Sequence, residues 1–315
     1  MNRIITALAA VCVLALSWAG PATAQNSAKQ FKVTLLGTGT PPPFMHRFGP
    51  AILIQAGGRN LLFDSGRGVT QRLFQLKIPL GKIDHVFLTH LHSDHVVGIP
   101  DLWLTGWLGA PWARRRHPFA ITGPAGTVGL MKGLEIAYAW DIKTRTIDQK
   151  LPAIGIQVKA TDMTEGVVYE NSGIKVTAFK VFHAKLIDPA YGYRIDFDGR
   201  TVILSGDTRY TENLVKNAKG ADLIIHSVAV IGAKLLKKSK IMRNILAHHS
   251  EPEDTAKVFN AIKPKLAIYS HVVMYGGLKP KDIPSRVRAK YSGAVRMGKD
   301  LMAINVGRGK VTVEK

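Results

Sequence analysis

Thr89-His90-Leu91-His92-Ser93-Asp94-His95 is the stretch from which the fold of this chain is read. Four side chains of metal-ligand type, His90, His92, Asp94 and His95, fall within it. Imidazole and carboxylate are the usual donors for zinc and its neighbours, and no cysteine stands nearby to compete. Residues 85–89 (HVFLT) read as a short strand feeding the cluster, and Gly98 and Pro100 follow it. That setting predicts a loop rather than a helix. Consecutive donors on a loop diverge, so all four close poorly on one ion, and two ions side by side explain the density better. A solvated histidine run is the plain alternative, and the apolar strand leading into the cluster argues against it.

Outward from the cluster, residues 31–36 (FKVTLL) read as a strand followed by a glycine-punctuated turn. Residues 51–55 and 61–63 read as a hairpin around 57–60. Apolar residues recur at three- and four-residue intervals over 102–108 and 127–140, which predicts helices. Residues 174–182, 191–197 and 201–204 are strand-like, and 222–226 and 266–270 read as short buried strands. Ser250 and Glu253 stand in capping-box spacing, with Pro252 in the first turn of the helix they predict. Residues 234–243 (KLLKKSKIMR) read as an amphipathic helix with a solvated basic face; a grip on an anionic substrate is the alternative. Strands interleaved with helices and tight turns predict sheets covered by helices. With no linker, low-complexity tract or short repeat, residues 25–315 read as one domain.

The first residues do not fit that domain. Met1-Asn2-Arg3 is a short positive start, residues 4–18 are nearly all apolar, and Pro21-Ala22-Thr23-Ala24 ends in a small-x-small pattern. Residues 1–24 are therefore predicted to be a signal peptide cleaved after Ala24, and the mature chain to be periplasmic or secreted. The apolar run is shorter than the roughly 20 residues a spanning helix needs, so no membrane span is expected in the mature chain. The only cysteine, Cys12, lies in this leader. Disulfides and thiolate chemistry are thereby excluded from the mature chain. The formal net charge of +21 becomes +20 once Arg3 leaves with the leader. Such a field draws anions, and by itself it names no substrate.

HLHSDH (90–95) resembles the H-x-H-x-D-H signature of the metallo-β-lactamase superfamily. LLGTGTPPP (35–43) and LLFDSGRG (61–68) look like the opening segments of its branch containing ribonuclease Z and secreted arylsulfatases. VFHAKLIDPAYGYRI (181–195), SGDT (205–208), AHHSEPEDTAKV (247–258) and YSH (269–271) resemble the later motifs of that branch. The resemblance implies an αββα sandwich, two mixed sheets covered by helices. It also implies two zinc ions: one held by His90, His92 and His183, the other by Asp94, His95 and His271, with Asp207 bridging. Asp94 and His249 are the residues it places at the chemistry. His249 directly precedes the helix predicted at Pro252, where a ring suits a hydrogen-bond donor to substrate or a general acid. The motif, histidine directly before serine, favours it over His248. Asp64 suits a partner for a metal-bound imidazole, or a turn cap. His46, His85 and His117 match no motif and read as ordinary histidines. His226 stands where ribonuclease Z tends to have His-Glu, but Ser227 follows here and removes an acidic partner.

A zinc pair of this kind acidifies water and stabilises charge on the reacting oxygens, and phosphodiesters, sulfate esters, lactones and lactams all suit it. The absence of cysteine and the presence of Asp207 argue against lactams. Ribonuclease Z carries a tRNA-gripping arm between its Gly-Tyr and Ser-Gly-Asp motifs, and here only residues 194–204 separate Tyr193 from Ser205. The expectation is an exported hydrolase of phosphate or sulfate esters, taking a small anionic ester, with nucleic acid not favoured. A lactonase or β-lactamase-like amide hydrolase, a ribonuclease Z-like nuclease and a non-catalytic anion-binding module are the alternatives. The oligomeric state stays open, a homodimer included.

Overall fold

Strands that are apolar at every position can be stable only where both faces are covered, whereas alternating strands need one covered face. Both kinds occur here. The computed structural model describes residues 29–314; the leader expected at 1–24, with Cys12, lies outside the described residues. The first sheet contains β1 (Phe31–Gly37), β2 (Ala51–Ala56), β3 (Arg59–Phe63), β4 (His85–Phe87), β5 (Phe119–Gly123) and β6 (Val158–Asp162). The second contains β7 (Gly166–Asn171), β8 (Ile174–Val181), β9 (Ala190–Phe197), β10 (Arg200–Leu204), β11 (Leu223–Ile231), β12 (Leu266–Tyr275) and β13 (Val295–Met297). β14 (Met302–Val306) and β15 (Val311–Val313) return to the first sheet, giving the orders β15-β14-β1-β2-β3-β4-β5-β6 and β13-β12-β11-β10-β9-β8-β7. Both sheets are mixed: β1–β2–β3 is antiparallel while β3 to β6 run parallel, and β10 to β13 are parallel beside antiparallel β8–β9–β10.

Period-two alternation sorts the strand residues into layers. Val33 and Leu35 of β1, with Leu223 and Ile225 of β11, fill the space between the sheets, along with Phe63, Phe87 and Tyr193. Ile224, Val228 and Val230 of β11 face outward and pack against the helices Glu212–Asn217, Pro252–Ile262 and Asp282–Arg288. On the other outer face, Leu53, Leu62 and Val86 meet the helices Val69–Gln75, Ile99–Trp107 and Thr127–Ala137. The layers are thus helix, sheet, sheet, helix, the αββα sandwich. No helix among the described residues is long and apolar enough to cross a membrane.

Several local expectations need correction. The histidine cluster is not loop throughout, because Ser93–Val96 forms one helical turn with His92 extended at its N-cap. The helix expected over 127–140 divides at Tyr138 into Thr127–Ala137 and Ala139–Asp148. The basic helix expected over 234–243 is two, Ala233–Lys238 and Lys240–Ala247, parted by Ser239 in an extended conformation. No capping box forms at Ser250. Glu251 occupies the N-cap, the Ser250 hydroxyl donates to the Thr208 carbonyl at 2.9 Å, and Glu253 pairs with Arg286. The helix starts one residue later than the capping box requires, and both side chains turn to tertiary partners. Strands β5, β6, β7, β13, β14 and β15 lie outside the sequence reading and are short, three to six residues each.

His226 sits in β11 with no exposed surface, opposite Tyr269 of β12. Its Nδ1 donates to the Ser227 carbonyl at 2.6 Å, and burial pushes its pKa down to about 4. The unfolded chain takes up this proton below pH 6.5 and the folded chain only near pH 4, so stability is complete above 6.5 and falls as pH drops toward 4. The loss from this residue is on the order of 3 kcal/mol. Urea midpoints of metal-free protein at pH 7 and pH 4 should therefore differ by less in His226→Leu than in the parent. An equal acid-induced loss in both proteins would show that His226 does not bind the proton.

Candidate metal centre

Each donor of the site hangs from a strand end or an irregularity in a strand. His90, His92, Asp94 and His95 follow β4, His183 follows β8, Asp207 follows β10, and His271 lies within β12. In β12, Ser270 and His271 together oppose Ser227 of β11, a bulge in the register, and His271 has a φ of 46°. Bulges re-aim side chains, and here the re-aimed ring faces the carboxylates. Before Asp207 stands Gly206 with a φ of 60°, where an added Cβ would lie 2.5 Å from the Tyr191 carbonyl oxygen. Only glycine fits this turn, which delivers Asp207 into the space beneath the histidines.

The resulting cluster contains His90, His92 and His183 as one group and Asp94, His95 and His271 as another, the donor atoms of each within 4.8 Å of one another. Asp207 lies between them, its Oδ2 being 3.2 Å from His271 Nε2, 3.5 Å from His95 Nε2 and 3.9 Å from His183 Nε2. Asp207 also groups with His90 and His95, and with His183 and His249. The structure therefore brings together every residue that the sequence placed at the metals. His92 is exposed at the mouth, while the other six donors are buried.

Hydrogen bonds fix which ring nitrogen faces inward. His90 Nδ1 bonds the Thr89 hydroxyl at 3.0 Å, and that hydroxyl also contacts the Asp64 carboxylate at 3.0 Å. His95 Nδ1 donates to Asp64 Oδ2 at 2.8 Å, and His183 Nδ1 donates to the His248 carbonyl at 2.8 Å. With each Nδ1–H engaged, the Nε2 atoms of three imidazoles point into the cluster, where each can offer a lone pair to a cation. His90 Nε2 lies 2.8 Å from His92 Nδ1, and His95 Nε2 is buried without a hydrogen-bond partner. Converging bare nitrogens beside two carboxylates are costly unless cations occupy the centre, so the donor set fits zinc.

The electrostatics follow from the same arrangement. Burial lowers the pKa of His90 well below its usual value, helped by neighbouring His95. Burial likewise lowers His92 and His183. Burial disfavours charge on His95 too, but the carboxylates of Asp64 and Asp207 outweigh it and raise its pKa well above normal. Burial would raise Asp207, yet His271 and His95 hold it well below the ordinary carboxylate range. For Asp94, the His271 hydrogen bond similarly overcomes burial and lowers the pKa.

His249 is buried, its ring centroid 4.9 Å from that of His183 and 5.5 Å from that of His271. Burial pushes its pKa down to about 3, so its ring is neutral around pH 7. His248 is half-buried and contributes its carbonyl. The cleft over the cluster has an empty volume of about 530 Å³ and is bordered by Pro41, Ile245, His248, His249, Val273 and Tyr275.

Asp64 reaches His95 from a φ of 58°, and its Oδ1 also accepts the Thr89 N–H at 2.8 Å. Thr89 itself was overlooked in the sequence, although its place directly before His90 marks it. Asp300 was overlooked as well: it accepts the Thr38 and Phe48 N–H groups at 2.9 and 2.7 Å and pairs with Arg72, securing the loop that carries Pro41. No local signal announces a contact across 262 residues. Among the other histidines, His85 bonds the Thr122 hydroxyl, His117 bonds the Gly81 and Pro118 carbonyls, and His46 packs on Phe44. None of these three joins the cluster. Asp64→Asn keeps a side chain that tolerates positive φ and removes the anion behind His95. Metal affinity measured by chelator competition should fall about 10- to 100-fold with the fold retained; unchanged affinity would rule out a positioning role for Asp64.

A beta-lactamase superfamily domain matches residues 59–272. Ribonuclease Z of Mycolicibacterium gilvum (strain PYR-GCK) is 31% identical over 284 residues, covering 88% of this chain and 97% of that protein. Among solved structures, the metallo-beta-lactamase fold protein YhfI of Bacillus subtilis superposes with a TM-score of 0.69 at 20% identity, covering 88% of this chain and 100% of that one. The short form of human tRNase Z gives 0.65 at 22% identity, covering 88% and 99%. These likenesses agree with the αββα layering described above. The chain belongs to the beta-lactamase superfamily, in the branch that includes ribonuclease Z, and is a metal-dependent hydrolase.

Proposed function

We propose that the protein is a two-zinc phosphodiesterase that cleaves RNA. The observation that carries the two-metal reading is the pair of donor groups, His90/His92/His183 and Asp94/His95/His271, flanking one buried carboxylate, Asp207. When bound there, two zinc ions would supply an acidified water and stabilise charge on the phosphoryl oxygens. The ribonuclease Z relatives reverse the order of readings drawn from sequence: the nuclease stands first, and the small phosphate or sulfate ester second. One observation still favours the small phosphate ester as a second substrate class. β9 and β10 join through the tight turn at Asp198 and Gly199, leaving no arm at that place.

The chain's own residues then have separable tasks. Asp64, Thr89 and the His248 carbonyl hold three imidazoles with their Nε2 atoms inward. Asp207 keeps its negative charge and sits between the two groups. His249 stands beside the cluster as a neutral ring. Its role is to donate an N–H hydrogen bond to a substrate oxygen, the leaving oxygen above all; burial makes a standing imidazolium at pH 7 unfavourable.

Protein purified without chelator should contain about two zinc ions per chain by elemental analysis, and Asp207→Ala about one, because the anionic bridge is lost. At most one tightly bound ion in the fully active parent would sink the two-metal reading.

Substrate class is tested by assaying short RNA, bis(4-nitrophenyl) phosphate, 4-nitrophenyl sulfate and nitrocefin side by side. Phosphodiesters should lead, and nitrocefin turnover above that of every ester would overturn the assignment. His249→Ala should slow esters with basic leaving groups more than those with acidic ones. Parallel plots of rate against leaving-group pKa for parent and variant would remove His249 from that role.

A further inference from the structure

Residues 233–247 carry Lys234, Lys237, Lys238, Lys240 and Arg243 and no carboxylate. The helices Ala233–Lys238 and Lys240–Ala247 that they form contain no buried residue, and all these cations are exposed. Among the described residues none of them joins an ion pair, whereas Arg72, Arg194, Lys265 and Arg286 each hold a carboxylate. The Ser239 hydroxyl caps the second helix by accepting the Met242 N–H at 3.3 Å, and Arg243 of that helix reaches back to the Leu236 carbonyl of the first at 2.6 Å, which holds the pair as a hairpin.

This hairpin runs straight into the metal cleft. Ile245 and His248 border the cleft, and the His248 carbonyl fixes His183. A substrate longer than the cleft can run past its Ile245 border onto these helices. We propose that the hairpin is a phosphate-backbone binding surface that holds single-stranded nucleic acid on one side of the scissile bond. This rests on the nuclease reading above and names how a chain without an arm between Tyr193 and Ser205 grips a polyanion.

The chemistry suits that partner. Lysines are flexible point charges that follow an irregular phosphate path without demanding bidentate geometry. The longer helix spans about 12 Å, enough to lie along a short run of backbone phosphates. Binding to a backbone by such charges releases counterions, does not depend on base sequence, and weakens steeply with salt.

The test compares the zinc-loaded parent with a variant carrying Lys234→Gln, Lys237→Gln, Lys238→Gln and Lys240→Gln. Glutamine keeps helix propensity, and none of these residues belongs to the metal cluster. Fluorescence anisotropy with a short single-stranded RNA should show about tenfold weaker binding and a salt slope shallower by about 2. Hydrolysis of bis(4-nitrophenyl) phosphate should keep its kcat/KM, which also reports intact folding. RNA affinity and salt slope equal to the parent's would overturn the proposal, as would a parent that does not bind RNA. A comparable loss of activity on the small ester would overturn it too, by making the hairpin part of the scaffold. Loss of binding to phosphatidylglycerol vesicles with RNA binding intact would assign the surface to membranes instead. RNA bound through the hairpin but never cleaved would leave this surface standing and remove the nuclease reading.

Discussion

A buried carboxylate ringed by imidazole nitrogens is the interaction on which this structure turns. Asp207 is 3% exposed, and its Oδ2 faces His95, His183 and His271 at distances between 3.2 and 3.9 Å. Neither the charge nor the lone pairs could stay dry without compensation. The compensation comes from segments far apart in sequence: 89–95, 183, 207 and 271. Two sheets packed face to face can hold such segments in place, because their strands end at rigid, hydrogen-bonded positions while the connecting loops stay short of the core.

The price of that convergence is local strain. Asp64 and His271 both adopt positive φ, an uncommon conformation for residues with a side chain, and Gly206 does so before Asp207. Each strained non-glycine residue costs on the order of 1–3 kcal/mol and persists only where its surroundings over-determine it. Here they do. Asp64 is held by Thr89 and His95, and His271 by its place between β11 and the carboxylates. Beneath them, Phe63, Phe87 and Tyr193 pack with ring centroids 4.9 to 5.8 Å apart, and the Tyr193 hydroxyl donates to the Leu88 carbonyl at 2.6 Å. That aromatic layer ties the floor of the cluster to both sheets.

The cleft has two contrasting aspects. Its floor is anionic and buried, suited to cations, whereas the neighbouring helical hairpin offers lysines to solvent. Under the proposed function, a phosphodiester chain would satisfy both, with the scissile group at the donor cluster and its neighbours on the basic surface. The β9–β10 turn is short, and the helical pair borders the cleft through Ile245 and His248.

Much of the candidate site was legible in the sequence because its parts are chemically conspicuous. HLHSDH concentrates donors within six residues, and SGDT and YSH each follow an apolar strand. The layered fold was legible for a similar reason, since apolar runs such as 202–204 and 266–270 require cover on both faces. Other features were decided only by tertiary contacts. Ser250 looked like a helix cap, but the helix starts at Pro252 and leaves Ser250 one residue outside the cap position, and the edge strands β6 and β7 exist because a neighbouring strand supplies hydrogen bonds that their mixed sequences do not advertise. Thr89, the His248 carbonyl and Asp300 act through partners that no local pattern reveals. The sequence alone marked the donor cluster at 90–95 and the segments that had to be buried, because side-chain chemistry and hydrophobic period are local properties, while His183, Asp207 and His271 were named by the family resemblance. Which nitrogen of each ring faces the centre, and which carboxylate lies between the two groups, only the folded chain decided, because both depend on hydrogen bonds between residues that meet in space alone.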